Sequence, residues 1–355
     1  MRVRFGGILL ILLGVVAGVA LIVAATPMGR YITRGAVAEA KILSHRQSIA
    51  KMAADSATPP AVRAKLQLVL EARQFAADSL GLPAKNAFTQ YTKLEHDTLV
   101  LVLSGAYRDE IRSVTWWFPV VGSVPYKGFF DFAEAKRAEA ELQAEGFDTY
   151  LRPSPAFSTL GFFNDPLLST TLGEDSLEIV NTVVHELTHN KFYPKGSAVF
   201  NESFASFVGA RGAERFFKSR GDTSSARRTA ARWHDDLLLS SVWERTFHSL
   251  DSAYRAHPSD AGRASRSGDP ARAQRFEARD TIYARTRRLL VDSVAPQLQT
   301  IDPRYAARVR LDNASLFARL IYATGLPKFE STYASEGFDV RRALERIIAE
   351  KKAGK

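Results

Sequence analysis

The sequence predicts an α+β protein, a small sheet followed by mostly helices, behind an N-terminal transmembrane helix. Residues 5–25 carry no charged or strongly polar side chain, and β-branched and aromatic runs bounded by Gly and Pro lie between residues 98 and 163. From Asp175 onward nearly every segment has a helical pattern, except a polar loop near residues 257–270. These observations divide the chain into a signal anchor, a helical N-terminal region and a main domain: 1–26, 27–95 and 96–355.

The apolar run at residues 5–25 is long enough to cross a bilayer, which takes about 20 apolar residues. Arg2 and Arg4 precede it and favour a cytoplasmic N-terminus. The run is either a retained anchor or a signal peptide cleaved after Val23-Ala24-Ala25. Because a cleavable apolar region usually spans about 7–15 residues, we favour the anchor. The remaining chain would then face the periplasm or extracytoplasmic side of the inner membrane.

The composition restricts the possible chemistry. The chain has 355 residues, 46% hydrophobic and 24% charged, a formal net charge of +10 and no cysteine. The absence of cysteine excludes disulfides, thiolate metal ligands and a cysteine nucleophile. The positive charge would suit nucleic acid or an anionic membrane surface, but the sequence shows no nucleic-acid motif and no aromatic stacking pattern. We therefore interpret the excess as solvated, arginine-rich helices and expect no nucleic-acid partner.

The elements follow in order from local patterns. Residues 30–76 are rich in Ala, Lys, Arg and Glu and predict helices, interrupted near Pro59-Pro60. The segment Asp131–Gln143 predicts a helix that stops near Gly146. Short β-branched and aromatic runs predict four strands: Thr98–Leu103, Ser113–Phe118, Phe147–Arg152 and Ala156–Phe163.

A metal-binding pattern lies between Asn181 and Gly209, where the chain reads His-Glu-Leu-Thr-His at residues 185–189. Residues i and i+4 share one face of a helix, so His185 and His189 can point at one metal ion. Glu186 projects beside that ion, where it can accept a proton from water. Imidazole and carboxylate ligands fit zinc best, which predicts a Zn²⁺ cofactor.

Such a site needs a third protein ligand, and Glu202 is our choice. The loop Lys191–Gly196 would let the chain turn back, and Ser197 could cap a second helix that runs to about Ser219. Glu202 would then face the first helix. Two histidines and one glutamate leave a fourth position open, the arrangement of a catalytic gluzincin-type site. The alternative, two surface histidines, is disfavoured because apolar residues around the motif predict a buried helix.

The motif and several other blocks resemble the bacterial, membrane-associated family of predicted aminopeptidases of the gluzincin type. The resemblance covers most of the chain after the anchor and is carried by Phe118–Phe130, Ala156–Pro166, the HELTH segment, Phe200–Ala205 and Leu311–Ala314. It implies a zincin-like metallopeptidase domain at residues 96–355 with aminopeptidase activity. The family often begins with a lipoprotein signal. This chain lacks cysteine, so the hydrophobic anchor would replace the lipid.

Two further assignments concern the substrate. The segment Ala156–Phe163 is either an edge strand that pairs with the peptide or an ordinary core strand. The tetrahedral intermediate needs a hydrogen-bond donor for its oxyanion. The resemblance implies Tyr322, nine positions after Asn313, although a core tyrosine is the alternative. His234 and His248 are rival donors, more typical of a helix surface.

The sequence therefore predicts a membrane-anchored zinc metallopeptidase, an aminopeptidase that acts on peptides. Glu186 and Tyr322 are the catalytic residues, and His185, His189 and Glu202 are the metal ligands. The first alternative is a zinc-containing protein that binds peptide or envelope material without turnover. The second is an envelope protein whose basic helices contact anionic lipid or nucleic acid. The sequence does not indicate an oligomeric state.

Overall fold

The computed structural model describes residues 14, 18, 26–94, 98, 100–118, 122–154, 166–258 and 270–354. The described chain is mostly helical and contains only small sheets. The predicted α+β class is therefore wrong. The prediction fails because the strand-like runs form strands of only two to seven residues, which assemble into separate sheets of two or three strands.

The predicted N-terminal transmembrane helix is also not supported. Within the described residues, none of the helices is both long enough and apolar enough to cross a membrane. The first of them, α1 (Pro27–Ser44), carries charged side chains along its length, including Arg30, Arg34 and Lys41. The segment 5–25 itself lies outside the described residues apart from Gly14 and Gly18. We withdraw the anchor and the inner-membrane location that was inferred from it.

The N-terminal region forms helices and one edge of a small sheet. After α1 come β1 (Gln47–Ser48), α2 (Ile49–Ala54), α3 (Pro60–Leu80) and β2 (Gln90–Thr92). The break predicted near Pro59-Pro60 separates α2 from α3. Strand β2 pairs antiparallel with β1 and parallel with β8 (Leu167–Leu168), so this sheet joins the N-terminal region to the chain just before the metal-binding pattern.

A second sheet contains the longest strands. In it β3 (Val100–Ala106) lies between β6 (Tyr126–Phe129) and β7 (Asp148–Ser154), antiparallel to both. Helix α4 (Phe132–Ala144) begins where Asp131 accepts hydrogen bonds from two backbone amides, which confirms the predicted helix. The predicted strand Ser113–Phe118 is shorter than expected. It forms only β4 (Trp116–Phe118), paired with β5 (Gly122–Val124) in a separate two-stranded sheet.

The remainder of the described chain is helical. The elements are α5 (Ser169–Gly173), α6 (Ser176–Lys191), α7 (Ala198–Ser219), α8 (Thr223–Ala256), α9 (Pro270–Leu289), α10 (Tyr305–Arg308), α11 (Asn313–Leu320), α12 (Leu326–Ser335) and α13 (Val340–Lys352). A short π-helical stretch and a 3₁₀ turn follow α9 at residues 290–297. The predicted segment Ala156–Phe163 and most of the polar loop at 257–270 lie outside the described residues.

The main apolar core includes residues from both ends of the described chain. Most of its members come from α2, α3, α6, α7, α12 and α13 and include Leu66, Val69, Val184, Phe207 and Leu344, all fully buried. A second core is built by α8, α9 and α11 around Val242, Leu250 and Leu290. The N-terminal helices thus pack directly on the helix pair that carries the metal-binding pattern. The proposed domain boundary near residue 95 falls on residues outside the description.

A buried polar network joins the second sheet to the helices. Arg275 of α9 pairs with Asp109 at 3.0 Å, and Arg279 pairs with Asp148 of β7 at 2.7 Å. Asn313, at the start of α11, donates to the carbonyl oxygen of Tyr107 at 2.7 Å. Each buried charge has an opposite charge beside it, as burial requires. The network therefore fixes β7 against the helices.

Candidate metal centre

Helix α6 positions the two histidines because it is capped at one end and buried along one face. The side chain of Asp175 accepts hydrogen bonds from the backbone amides of Leu177 and Glu178, both at 3.0 Å. The buried face consists of Leu177, Ile179, Val180, Val183, Val184, Leu187 and Thr188. Their packing fixes the rotation of the helix. His185 and His189 then lie one turn apart, with ring centroids separated by 5.0 Å.

The turn between α6 and α7 is fastened by the residues on either side of Glu202. Asn201 is 1% exposed, and its Nδ2 donates to the carbonyl oxygen of Pro194 at 3.0 Å, which ties the loop to the first turn of α7. Ser203 is fully buried, and its hydroxyl donates to the carbonyl oxygen of Ile321 at 3.1 Å. These bonds hold Glu202 opposite α6 and hold the neighbouring loop against α7.

A glycine allows the two helices to approach closely beside His185. A Cβ atom at Gly209 would lie 2.6 Å from the side-chain oxygen of Asn181 and 3.1 Å from its backbone oxygen. The same atom would lie 3.3 Å from Cβ of His185. Any larger residue here would push α7 away from α6. The glycine therefore sets the separation across which Glu202 meets the histidines.

The three candidate ligands converge on one point. Nε2 of His185 lies 3.3 Å from Oε2 of Glu202, and Nε2 of His189 lies 3.6 Å from Oε1 of the same residue. One donor atom from each residue lies within 4.8 Å of the donors of the other two. Among the described residues, this is the one group of histidine and carboxylate side chains arranged in this way.

These distances fit a zinc ion. Zinc binds histidine nitrogen and carboxylate oxygen at about 2.0–2.1 Å with tetrahedral angles, so two of its ligand atoms lie roughly 3.3 Å apart. The separations of 3.3 and 3.6 Å between Glu202 and the two imidazoles agree with that value. The donor set, two imidazole nitrogens and one carboxylate, is also the set that zinc prefers in open sites.

Electrostatics at the centre favour the neutral form of His189 and the ionised form of Glu202, the protonation states of metal ligands. Burial and the neighbouring His185 lower the pKa of His189 to about 4, which keeps that imidazole neutral at pH 7. Burial alone would raise the pKa of Glu202, but the histidines outweigh it and lower that pKa. Burial lowers the pKa of His185, yet its hydrogen bond to Glu202 and the charge of Glu186 outweigh this and raise it. A cation could replace the proton that His185 and Glu202 share.

Tyr322 lies near the centre, in the loop after α11. Its side chain is 41% exposed. Its pKa is raised, first by partial burial and then by the negative charge of Glu202, which places the two groups within electrostatic range. Ser203 of α7 forms hydrogen bonds with Ile321 and Thr324, which lie on either side of Tyr322. These bonds hold the loop of Tyr322 against α7 although the two segments are distant in the sequence. Glu186, between the histidines on α6, is half-buried.

Three residues that the sequence did not single out surround the same point. Tyr193 packs edge-on against His189, with ring centroids 5.5 Å apart. Tyr126, at the start of β6, has its pKa raised by burial, by Tyr193 and by Glu202. Arg152 of β7 stands over the ring of Tyr322, 5.9 Å from its centroid. Tyr193 follows His189 by four residues, but α6 ends at Lys191, so this spacing is not a helical one and gave no usable signal. No local pattern pointed to the other two.

The family comparison covers nearly the whole chain. The family model described as "Putative aminopeptidase" matches residues 30–354. The chain belongs to this aminopeptidase family. The matched region contains every residue of the candidate centre. Neither the comparison with curated proteins nor that with solved structures found a match.

The remaining predicted site residues lie apart from the centre of this family member. His234 and His248 both lie on α8, and neither belongs to the group formed by the three candidate ligands. The ring of His248 is exposed and contacts that of Phe247. The predicted substrate strand Ala156–Phe163 lies outside the described residues.

Proposed function

We propose that the chain is a zinc-dependent peptidase in which His185, His189 and Glu202 hold the metal. The observation that supports this most strongly is the convergence of their three donor atoms, with separations that suit tetrahedral zinc. Membership of an aminopeptidase family supports the reaction class, hydrolysis of peptide bonds, and favours removal of N-terminal residues. A closed structural zinc site has four protein ligands, whereas this group offers three and leaves room for reactants.

The roles of the protein groups follow from their chemistry. Zinc, when bound, would supply a Lewis acid that polarises the scissile carbonyl group and acidifies a water molecule. Glu186 adjoins the first histidine on α6 and serves as the general base. It removes a proton from the attacking water and returns it to the leaving amine. The neutral imidazole of His189 leaves a ring nitrogen lone pair available to the metal.

Tyr322 is the donor that we assign to the oxyanion. Its hydroxyl lies in electrostatic range of Glu202 and keeps its proton at neutral pH because its pKa is raised above the usual value. A protonated phenol can donate a hydrogen bond to the negative charge that develops on the carbonyl oxygen. The loop that carries it is fixed to α7 through Ser203, which limits how far the hydroxyl can move.

A peptide library tests this function. The purified chain would be incubated with mixed peptides, with chelator and after zinc is restored, and the products read by mass spectrometry. We expect stepwise shortening from the N-terminus that stops with chelator and returns with zinc. Internal cuts would retain the peptidase and reject the exopeptidase assignment. Bound zinc with no cleavage of any peptide would contradict the proposal and favour a binding protein without turnover.

The variant Glu186→Gln tests the assignment of Glu186 as the general base. Because Glu186 is assigned as the base and not as a ligand, we expect zinc content to remain and turnover to fall by about a hundredfold or more. Glu178→Gln removes the same charge from the same helix near its exposed start and should keep nearly full activity. Equal turnover in the wild type and Glu186→Gln would reject the assigned base.

A further inference from the structure

One cation faces the metal centre and is not used by the mechanism above. Arg152 lies in the middle of β7, where it pairs in register with Val102 of β3. Its guanidinium lies 5.9 Å from the centre of the Tyr322 ring. Its positive charge contributes to the lowered pKa of Glu202 and opposes the rise in the pKa of Tyr126 and Tyr322. Arg152 therefore lies close to Tyr322 and within electrostatic range of the candidate ligand Glu202.

Arg152 differs from the arginines that hold the fold together. Arg275 and Arg279 are buried and paired with carboxylates at 3.0 and 2.7 Å. Within the part of the chain that the structure describes, no carboxylate lies within ion-pair distance of Arg152, which is only half-buried. A guanidinium has five N–H donors in a planar fork. The ring contact and the hydrogen bond to the Tyr322 side chain leave most of those donors available to another group.

The charge at this position selects between kinds of substrate. A cationic side chain of the substrate in contact with the guanidinium of Arg152 would be repelled, because two positive charges would face each other across a partly buried site. A carboxylate would be attracted and could accept two parallel hydrogen bonds from the guanidinium. Tyr126 lies within electrostatic range of Arg152, and Tyr193 packs against His189, so both phenol groups are near enough to offer an anion further polar contacts.

We propose that Arg152 is a specificity-determining residue that binds a carboxylate of the peptide beside the scissile bond. This inference rests on the proposed peptidase function of the same centre. The carboxylate has two possible sources with the same chemistry. It is either the side chain of an aspartate or glutamate residue, or the C-terminal carboxylate of a short peptide.

Equilibrium binding to the Glu186→Gln variant tests the proposal without turnover. Two peptide pairs would be titrated by calorimetry: one pair differs only by Glu or Gln next to the scissile bond, and the other only by a C-terminal carboxylate or amide. We expect the carboxylate form of one pair to bind about tenfold to a hundredfold more tightly, as a charge-assisted bidentate bond allows. The pair that shows the preference identifies the source.

Substitutions of Arg152 in that variant supply the decisive comparison. Arg152→Gln should bring the carboxylate and amide forms to nearly equal affinity. Arg152→Lys keeps the charge but not the fork, so it should keep part of the preference. Arg112→Gln removes a similar charge from an exposed residue paired with Glu110 and should leave the preference unchanged. Zinc content would be measured for each protein, so that loss of the metal is not mistaken for loss of selectivity.

The outcomes separate this inference from the function on which it rests. Equal binding of both forms in both pairs, binding of neither, or a preference that survives Arg152→Gln would overturn the role of Arg152. If wild-type protein cleaves peptides but shows none of these preferences, only the specificity assignment fails. If carboxylate peptides bind through Arg152 and wild-type protein cleaves none of the library, the peptidase function fails and the binding subsite stands.

Discussion

Three consecutive residues at the start of α7 have three separate tasks. Asn201 fastens the preceding loop, Glu202 meets the histidines, and Ser203 fastens the loop of Tyr322. Local sequence rules lead to Glu202, because a third ligand must follow the HExxH helix after a turn. The same rules do not predict the roles of Asn201 and Ser203, because the hydrogen-bond partners of these two residues lie elsewhere in the chain. A ligand is thus recognisable by type and spacing, whereas its supports depend on tertiary contacts.

Replacement of Tyr322 by phenylalanine tests its catalytic role. Tyr322→Phe keeps the ring beneath Arg152 but removes the hydroxyl. We expect kcat to fall by about a hundredfold, the usual effect of losing one oxyanion donor, with little change in KM. Steady-state kinetics on a cleaved peptide would measure both constants. Tyr305→Phe, in the second core, is the control and should behave as wild type. An unchanged kcat in Tyr322→Phe would show that the tyrosine only packs.

The pairing of α6 with α7 is the central feature at the scale of elements. Gly209 lets the helices approach beside His185, and Gly212 does so one turn later against Val184. The sequence predicted both helices. The second, Ala198–Ser219, follows Ser197 and ends at Ser219 as predicted, but the Ser197 side chain makes no capping hydrogen bond, and the first, Ser176–Lys191, includes the residue at which the turn was expected to begin. The sequence did not predict the close approach, since a glycine inside a helix carries no signal until its neighbour is known.

Gly209→Ala tests this approach. The added methyl group would meet the backbone oxygen of Asn181 at 3.1 Å, and backbone cannot rotate out of the way. We expect a loss of stability of about 1–3 kcal/mol and weaker zinc binding, since His185 and Glu202 would move apart. Urea unfolding and competition with a zinc indicator would measure the two effects. Gly173→Ala, where a Cβ meets nothing within 4 Å, should be neutral in both. Wild-type values for Gly209→Ala would contradict the close packing.

The N-cap of α6 predicts a pH effect on stability. A hydrogen bond from Arg232 lowers the pKa of Asp175 to about 2, below the ~3.9 of an unfolded aspartate. The ionised carboxylate therefore stabilises the fold above about pH 4, and this contribution is lost as the pH falls towards 2. Asp175→Ala should cost about 1 kcal/mol at pH 7. Asp175→Asn keeps the cap without the charge and should lose less.

Unfolding of these two variants and the wild type at several pH values would check that expectation. The gap between wild type and Asp175→Asn should be present at pH 7 and narrow as the pH falls to about 2, where about half of the native wild-type carboxyl groups are protonated. A gap that is constant across this range would show that the pair formed by Asp175 and Arg232 contributes nothing through its charge.

At the scale of the whole molecule, the candidate centre belongs to the main core. The N-terminal helices α2 and α3, the pair α6 and α7, and the C-terminal helices α12 and α13 bury their apolar residues together. The sequence identified these helices individually, but two larger predictions were wrong, the α+β class and the transmembrane helix. Strand-like runs such as Ser113–Phe118 have β propensity, yet their pairing partners decide how long a strand becomes, and those partners are not local.

Because the candidate centre belongs to the main core, we predict that bound zinc stabilises the whole fold. A ligand that binds only the native state at 100 times its Kd adds about 2.7 kcal/mol, which corresponds to roughly 4 °C in Tm for a chain of this size. We expect chelator to lower the Tm of wild-type protein by about that amount in scanning calorimetry. His189→Ala removes one ligand and should show almost no response to chelator. The same response in both proteins would place any stabilising zinc elsewhere.

The location of the metal is the most direct test of the central claim. Crystals of the purified, zinc-loaded protein would be measured with X-rays on both sides of the zinc absorption edge. We expect one anomalous peak bounded by Nε2 of His185, Nε2 of His189 and the carboxylate of Glu202, at about 2.0–2.1 Å from each. No peak at these three side chains, or zinc bound only at other residues, would contradict the zinc centre on which the proposed peptidase depends.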